Sequence, residues 1–208
     1  MNEVPVVVAI VPVGTLEGAK SRLGAVLDAE ERHDLVARLV IETIRALVAT
    51  PGIAETLVVT PDDEVRGLAL AAGGRPLRQR SRGLNEGLRE ARDEAIAADA
   101  SAILIVPVDL PDISPATLRP ILAALDGAEP PLVAIIADRH GRGTNALLLA
   151  PPDVIDVRFG GDSYVAHTTA ASEAGAQLVE LGGPLAVDLD TPDDLLLVEA
   201  ADPDAARG

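Results

Sequence analysis

Five short apolar runs, rich in Val, Leu and Ile, punctuate the chain: residues 6–12 (VVVAIVP), 56–60 (TLVVT), 102–108 (AILIVPV), 132–136 (LVAII) and 145–150 (NALLLA). A strand with one wet face alternates apolar and polar side chains, whereas a strand covered on both faces is apolar throughout. These runs are of the second kind and require helices on both sides of a sheet. The sequence between them supplies the helices. Residues 28–49 carry Leu35, Leu39, Ile44 and Leu47 at helical spacing, and further helical patterns cover 62–72, 85–98, 114–125, 163–174 and 192–201. Several starts have a physical reason: Asp28 precedes AEER, Ser114 precedes Pro115, and Thr191 precedes a proline and two acids. Strand–helix alternation predicts an α/β fold, a three-layer sandwich on a mostly parallel sheet. No repeat, low-complexity tract or linker divides the chain, so one domain over 1–208 is expected, with ADPDAARG as a frayed tail.

Charge narrows what such a sheet can serve. Thirty-three acids against 17 bases give a net charge of −16, which repels polyanions and argues against nucleic-acid and anionic-membrane partners. One Tyr, one Phe and no Trp leave no aromatic platform for single-stranded bases. Without cysteine there is no disulfide framework, zinc–thiolate site or thiol nucleophile. The start MNEVPVVVAIVPVG has an acid where a signal peptide needs bases, and no stretch reaches transmembrane length. A soluble, cytoplasmic chain is expected. Lys20 is the one lysine among the 17 basic residues. GC-rich coding can explain the arginines, and retention of a single lysine marks a position that needs an ammonium, with chance retention as the alternative.

In sheets of this type ligands bind outside the carboxyl ends of the strands, so the residues after each run matter most. The first run is followed by PVGTLEGAKSRL, in which Gly14 and Gly18 open the backbone to a phosphate and Lys20 and Arg22 can neutralise it. The loop is neither a Walker loop nor a GxGxxG fingerprint, and an ordinary turn with two solvated bases competes with the anion site. Asp109, in VPVDLPDI, stands at the end of a buried run, where a hard oxygen donor suits Mg²⁺; Asp112 reads as a helix-entry acid, with a second metal ligand as the alternative. AVDLDTPDDL puts Asp188 and Asp190 on one face of an extended segment, while Asp193 and Asp194 read as ordinary first-turn acids. If Asp109, Asp188 and Asp190 converge, two unit charges about 4 Å apart cost ~4 kcal/mol at an effective dielectric of 20, which a bound cation would relieve.

Residues 138–167 mix Gly141, Gly143, Gly160 and Gly161 with Thr144, Asn145 and Ser163, a combination able to wrap a small anion or to form plain turns. His140 and His167 read as polar pocket or surface groups and His33 as solvated. In GLNEGL, Asn85 can read a base or ribose edge or cap its helix. No Ser/His/Asp order supports covalent hydrolysis.

Taken in order, AKSRL, GLNEGL, VPVDLPDI, GTNALL, FGGDSYVAH and DLDTPDDL resemble the guanylyltransferases of coenzyme F(420) biosynthesis, over residues 6–200. That family acts on phosphoenolpyruvate or 2-phospho-L-lactate, and the resemblance implies a nucleotidyltransferase fold related to nucleotide-diphospho-sugar transferases. It implies that Pro12, Gly14, Lys20 and Arg22 hold the GTP phosphates and that Gly83, Leu84 and Asn85 seat the guanosine. Asp109 with Asp188 or Asp190 would bind Mg²⁺, and Thr144, Gly160 and Ser163 would hold the three-carbon acceptor. Lys20, Arg22 and Asp109 would be catalytic. Family members commonly read PVK at the end of the first strand; PVG here removes one cation and leaves its task to Lys20 and Arg22. An Ala- and Arg-rich composition associates the chain with bacterial members and so with phosphoenolpyruvate, and a downstream transferase would accept the labile product. The alternatives are a nucleotidyltransferase of sugar-phosphate or molybdopterin type, whose LAGG-type opening is missing, and a non-catalytic nucleotide-binding domain.

Overall fold

A single seven-stranded sheet organises the protein, with strands in the order β3-β2-β1-β4-β6-β5-β7. The computed structural model describes residues 5–17, 20–194 and 196. The strands are β1 Val7–Pro12, β2 Ile53–Thr60, β3 Arg75–Arg78, β4 Ala102–Ile105, β5 Leu132–Ala137, β6 Thr144–Ala150 and β7 Gln177–Leu181. The helices are α1 Ala29–Val48, α2 Asp63–Ala71, α3 Leu84–Ala97, α4 Pro115–Leu122 and α5 Ser163–Glu173. β1 pairs in parallel with β2 and β4, β2 with β3, and β5 with β7, while β6 runs antiparallel to both β4 and β5. The expected mixed layering, a mostly parallel sheet between helices, is therefore what the chain adopts.

The unbroken apolar runs follow from this layering. Val7, Ala9 and Val11 of β1 pack into a core with α1, α2 and α4, whereas Val8 and Ile10 pack with α3 and α5 on the other face. Each buried aliphatic side chain contributes roughly 1.5–3 kcal/mol, so a central strand with no polar side has the sheet's strongest claim on its position. The helix entries expected from sequence are present: Asp28 and Ser114 each form a capping box, with Glu31 and Thr117 respectively.

Two strands stand where none was expected. β3 (RPLR) and β7 (QLVEL) are the sheet's edges, with only half their surroundings apolar, so they lack the continuous runs that mark the interior. The run 102–108 leaves the ladder after Ile105, but Val106 N still donates to Ile10 O at 3.0 Å, and the extended chain delivers Asp109 to the carboxyl edge. Residues 192–194 and 196 of the helix expected at 192–201 are helical; the rest of that helix, the tail and Gly18 lie outside the described residues. A third, small cluster joins Leu23, Leu35, Leu39 and Leu189. It fixes the segment after β1 and the segment after β7 to the same helix, α1, and so to each other.

Candidate active site

Lys20 occupies a left-handed backbone conformation, φ 50° and ψ 41°, which costs a non-glycine residue about 1–2 kcal/mol. Its ammonium donates to Asp109 Oδ2 at 3.0 Å and to Asp190 Oδ1 at 2.6 Å, with its side chain only 12% exposed. Burial pushes the Lys20 pKa down, but the Asp109 and Asp190 carboxylates outweigh it and hold the group above its ordinary value, as a cation. Leu189 N donates to Asp109 O at 2.8 Å, a backbone link between the same two segments. The chain's one lysine therefore bridges two carboxylates, one from the middle of the sequence and one from near its C-terminus. Lys20 lies between Asp109 and Asp190, and Arg22 is the more open cation. Its guanidinium reaches Asp190 Oδ2 at 3.8 Å with its side chain 75% exposed, on a cavity of about 340 Å³ lined also by Lys20 and Ser21.

Asp188 stands beside this pair. Burial raises its pKa first, and the negative charges of Asp109, Asp190 and Asp138 raise it further. Asp138 also follows an apolar run; it accepts from His140 N at 3.1 Å and Arg142 N at 2.8 Å and so shapes the turn between β5 and β6. Among the described residues no three His, Cys, Asp or Glu side chains stand together as a ready metal cage. Mg²⁺ does not require one, since it is usually held by one or two carboxylates and completes its shell with water and substrate phosphates. Burial first, and then the neighbouring Asp109 charge, disfavour an ionised Asp188 standing alone, and hard oxygen donors at Asp109 and Asp188 fit such an ion.

On the β1–β2 side a groove of about 440 Å³ is lined by Pro12, Gly14, Gly83 and Leu84, together with Gln79 and Arg82. Four of the expected nucleotide-binding positions thus share one groove. A Cβ at Gly14 would meet nothing within 4 Å, so that position opens onto free space. The loop before α3 is braced from beneath. Gln79 Nε2 donates to Ser81 O at 3.1 Å and Gly83 O at 2.7 Å, and the Glu90 carboxylate accepts from Arg80 N and Ser81 N at 2.9 and 2.7 Å. A Cβ at Gly87 would lie 2.7 Å from Gln79 Cδ, which is why GLNEGL carries a glycine one turn into its helix. Asn85 does not cap its helix. Its Nδ2 donates to Phe159 O at 3.0 Å and its Oδ1 accepts from Phe159 N at 2.7 Å, while the helix entry is left to Gly83.

The positions expected around the acceptor gather on the other side. Thr144 and Ser163 are buried, and Gly160 takes φ 148°, open to glycine alone. His167, expected as a pocket or surface group, is fully buried. Arg158 N donates to its Nε2 at 2.9 Å, so the ring proton sits on Nδ1 and faces Thr144 Oγ1 at 3.0 Å. Burial, followed by the nearby Arg158 charge, lowers the His167 pKa to about 4. The register shift between Ile136 and Ala137, opposite β6, accompanies the turn of Thr144 toward α5 and of Asn145 toward Leu185 O, which its Nδ2 reaches at 2.9 Å.

Asp194 departs most from its expected part. Only 2% exposed, it accepts from Asp190 N at 3.0 Å, Thr191 N at 2.7 Å and Thr191 Oγ1 at 2.8 Å, and pairs with Arg139. It is a buried brace for the segment bearing Asp188 and Asp190. Asp112 is exposed, as expected of a helix-entry acid.

Residues 7–201 match the family model described as "Guanylyl transferase CofC like". The phosphoenolpyruvate guanylyltransferase of Sphaerobacter thermophilus is 43% identical over 189 residues, 90% of each chain. That of Rubrobacter xylanophilus is 41% identical over 196 residues, 94% of each chain. Among solved structures, a nucleotidyl transferase from Methanothermobacter thermautotroptrophicus superposes with a TM-score of 0.65 at 22% identity, covering 94% of this chain and 97% of that one. A 4-diphosphocytidyl-2C-methyl-D-erythritol synthase from Anaerococcus prevotii gives 0.65 at 10% identity, covering 95% and 96%. At those identities the structural likeness speaks for the fold.

Proposed function

The chain belongs to the CofC-like guanylyl transferase family, and from that premise we propose that it transfers GMP from GTP to phosphoenolpyruvate in coenzyme F(420) biosynthesis. Relatives named for phosphoenolpyruvate favour that acceptor over 2-phospho-L-lactate. The observation that carries the reading is the junction of Lys20 with Asp109 and Asp190, beside the groove of Pro12, Gly14, Gly83 and Leu84. A phosphate oxygen of the acceptor attacks the α-phosphorus of GTP; that P–O bond forms as the bond to the bridging β-phosphate oxygen breaks, and pyrophosphate leaves with the electron pair.

Both substrates are polyanions, so catalysis consists of neutralisation and in-line positioning. Asp109 and Asp188 would hold Mg²⁺, which when bound supplies charge neutralisation to the reacting phosphates. Lys20 keeps Asp109 and Asp190 from repelling one another and so holds the donor set in place. Arg22 stands on the open cavity, where the leaving pyrophosphate needs a cation. Gly83 and Leu84 line the nucleoside end of the groove. Thr144 Oγ1 accepts from His167, which leaves its own proton to donate to the acceptor. Ser163 adds the first turn of α5 and Gly160 a side-chain-free approach. An acceptor phosphate is ionised at neutral pH and needs no general base. His167, with both ring nitrogens engaged, would make a poor one.

Among the described residues no helix is long and apolar enough to cross a membrane, in keeping with a cytoplasmic enzyme. The product is a mixed phosphoric anhydride, so a transferase that uses it promptly would be the next step. The test is pyrophosphate release from GTP and Mg²⁺ with each acceptor alone, and with ATP and CTP as controls. Release with GTP and phosphoenolpyruvate is expected. Release with another nucleotide, or with neither acceptor, would overturn the reading.

A further inference from the structure

The two sides of the site are joined by a continuous line of hydrogen bonds. Asn85, next to the nucleoside groove, holds Phe159 by both its N–H and its C=O, at 2.7 and 3.0 Å, as a neighbouring strand would. One residue earlier, Arg158 N donates to His167 Nε2 at 2.9 Å, and the same ring meets Thr144 Oγ1 at 3.0 Å. The Phe159 ring packs edge-on against that imidazole with centroids 5.0 Å apart. The segment between Val157 and the first turn of α5 has no strand or helix of its own to fix it. Its backbone is held by two side chains, Asn85 from α3 and His167 from α5.

We infer that Asn85 is a positioning residue for the acceptor: it fixes Phe159–Gly160 and does not contact the nucleoside. Both polar atoms of the amide are committed to one residue's backbone, so turning the amide toward the groove would break the pair that holds Phe159. Gly160 follows directly on Phe159 and its carbonyl accepts from Ser163 N at 3.1 Å, so a displacement at Phe159 moves the positions that would grip the acceptor. Gly83 and Leu84, held by Gln79 and by the start of α3, do not depend on the Asn85 amide. This inference rests on the proposed reaction for its substrate language but not for its geometry.

The test measures Asn85→Ala and Asn85→Asp by steady-state pyrophosphate release and by amide hydrogen exchange over residues 158–163 without substrate. Asn85→Ala removes both bonds; Asn85→Asp keeps the acceptor for Phe159 N and loses the donor. Each lost bond is worth about threefold to tenfold in an equilibrium. KM for phosphoenolpyruvate should therefore rise roughly tenfold in Asn85→Ala and at least as much in Asn85→Asp, which sets a carboxylate oxygen against the Phe159 carbonyl. KM for GTP should stay within about twofold, and exchange over 158–163 should quicken. A raised KM for GTP with the acceptor's unchanged would make Asn85 a nucleoside contact and overturn the inference. Unaltered exchange would overturn it too. Should Asn85→Ala fail to fold, Asn85→Asp gives both readouts. A wild-type protein inactive with GTP and phosphoenolpyruvate would sink the proposed reaction alone, because the exchange readout needs no substrate.

Discussion

His167 is the residue whose environment most changes its chemistry. Fully buried, it accepts from Arg158 N and is ordinary only in the unfolded chain, where it titrates near 6.5; in the fold its pKa falls to about 4. The sign follows from linkage. Between those values the unfolded state binds the proton and the folded state does not, so the stability is complete above about 6.5 and is lost as pH falls toward 4. The slope in that window is about 1.4 kcal/mol per pH unit and the whole effect is of order 3 kcal/mol. Urea unfolding from pH 7 to pH 4.5 should show it, and His167→Gln should be less stable at pH 7 yet flatter through the window. Parallel curves for the two proteins would mean that His167 does not titrate on unfolding. Asn85 teaches a related lesson about legibility. Its place at a helix entry made capping or base contact the natural reading, and nothing local reveals a partner 74 residues away.

At the scale of elements, the segment from Asp188 to Asp194 shows how far sequence can reach. The Thr191–Pro192 entry is legible because capping is local chemistry, and Thr191 does exchange hydrogen bonds with Asp194. Its depth is not legible: the same acid on an exposed helix would be solvated, whereas here it is buried and paired with Arg139 from the turn after β5. The interior strands were readable for the same reason that the edges were not. β1 and β5 carry their burial in an unbroken apolar run, whereas β3 and β7 owe their strand state to a neighbour's free edge. Burial pushes the Asp194 carboxyl up, but hydrogen bonds from Thr191 and Asp190 and the Arg139 charge together hold it below the usual range. Asp194→Ala should therefore cost about 2–4 kcal/mol, since it also strands a guanidinium. Asp190 hangs from the same carboxylate by its backbone N–H, so turnover should fall about tenfold or more. Denaturant midpoint and turnover rate together check this; a stable variant with normal turnover would leave Asp194 as the ordinary helix acid that its position suggests.

Across the whole molecule the puzzle is how a chain of net charge −16 would handle the two polyanions of the proposed reaction. Apart from Arg139, which Asp194 neutralises, the cations on the two sides of the site include Lys20, Arg22, Arg82 and Arg158, and among the described residues neither Arg82 nor Arg158 forms an ion pair with an acid. Against them stand Asp109, Asp138, Asp188 and Asp190. Four positive and four negative side chains leave the site close to neutral, with no local funnel to counter the repulsive field of the remainder. GTP then approaches uphill until short-range hydrogen bonds take over. Screening shortens the reach of that field from about 30 Å at 0.01 M salt to about 8 Å at 0.15 M. Raising ionic strength over that range at constant free Mg²⁺ should therefore lower KM for GTP, by about twofold to fivefold. Phosphate-binding sites built on a basic surface behave in the opposite way, because salt weakens their attraction. A KM that rises steeply with salt would show that Arg22, Arg82 and Arg158 dominate the approach, and the acidic exterior would then serve solubility alone.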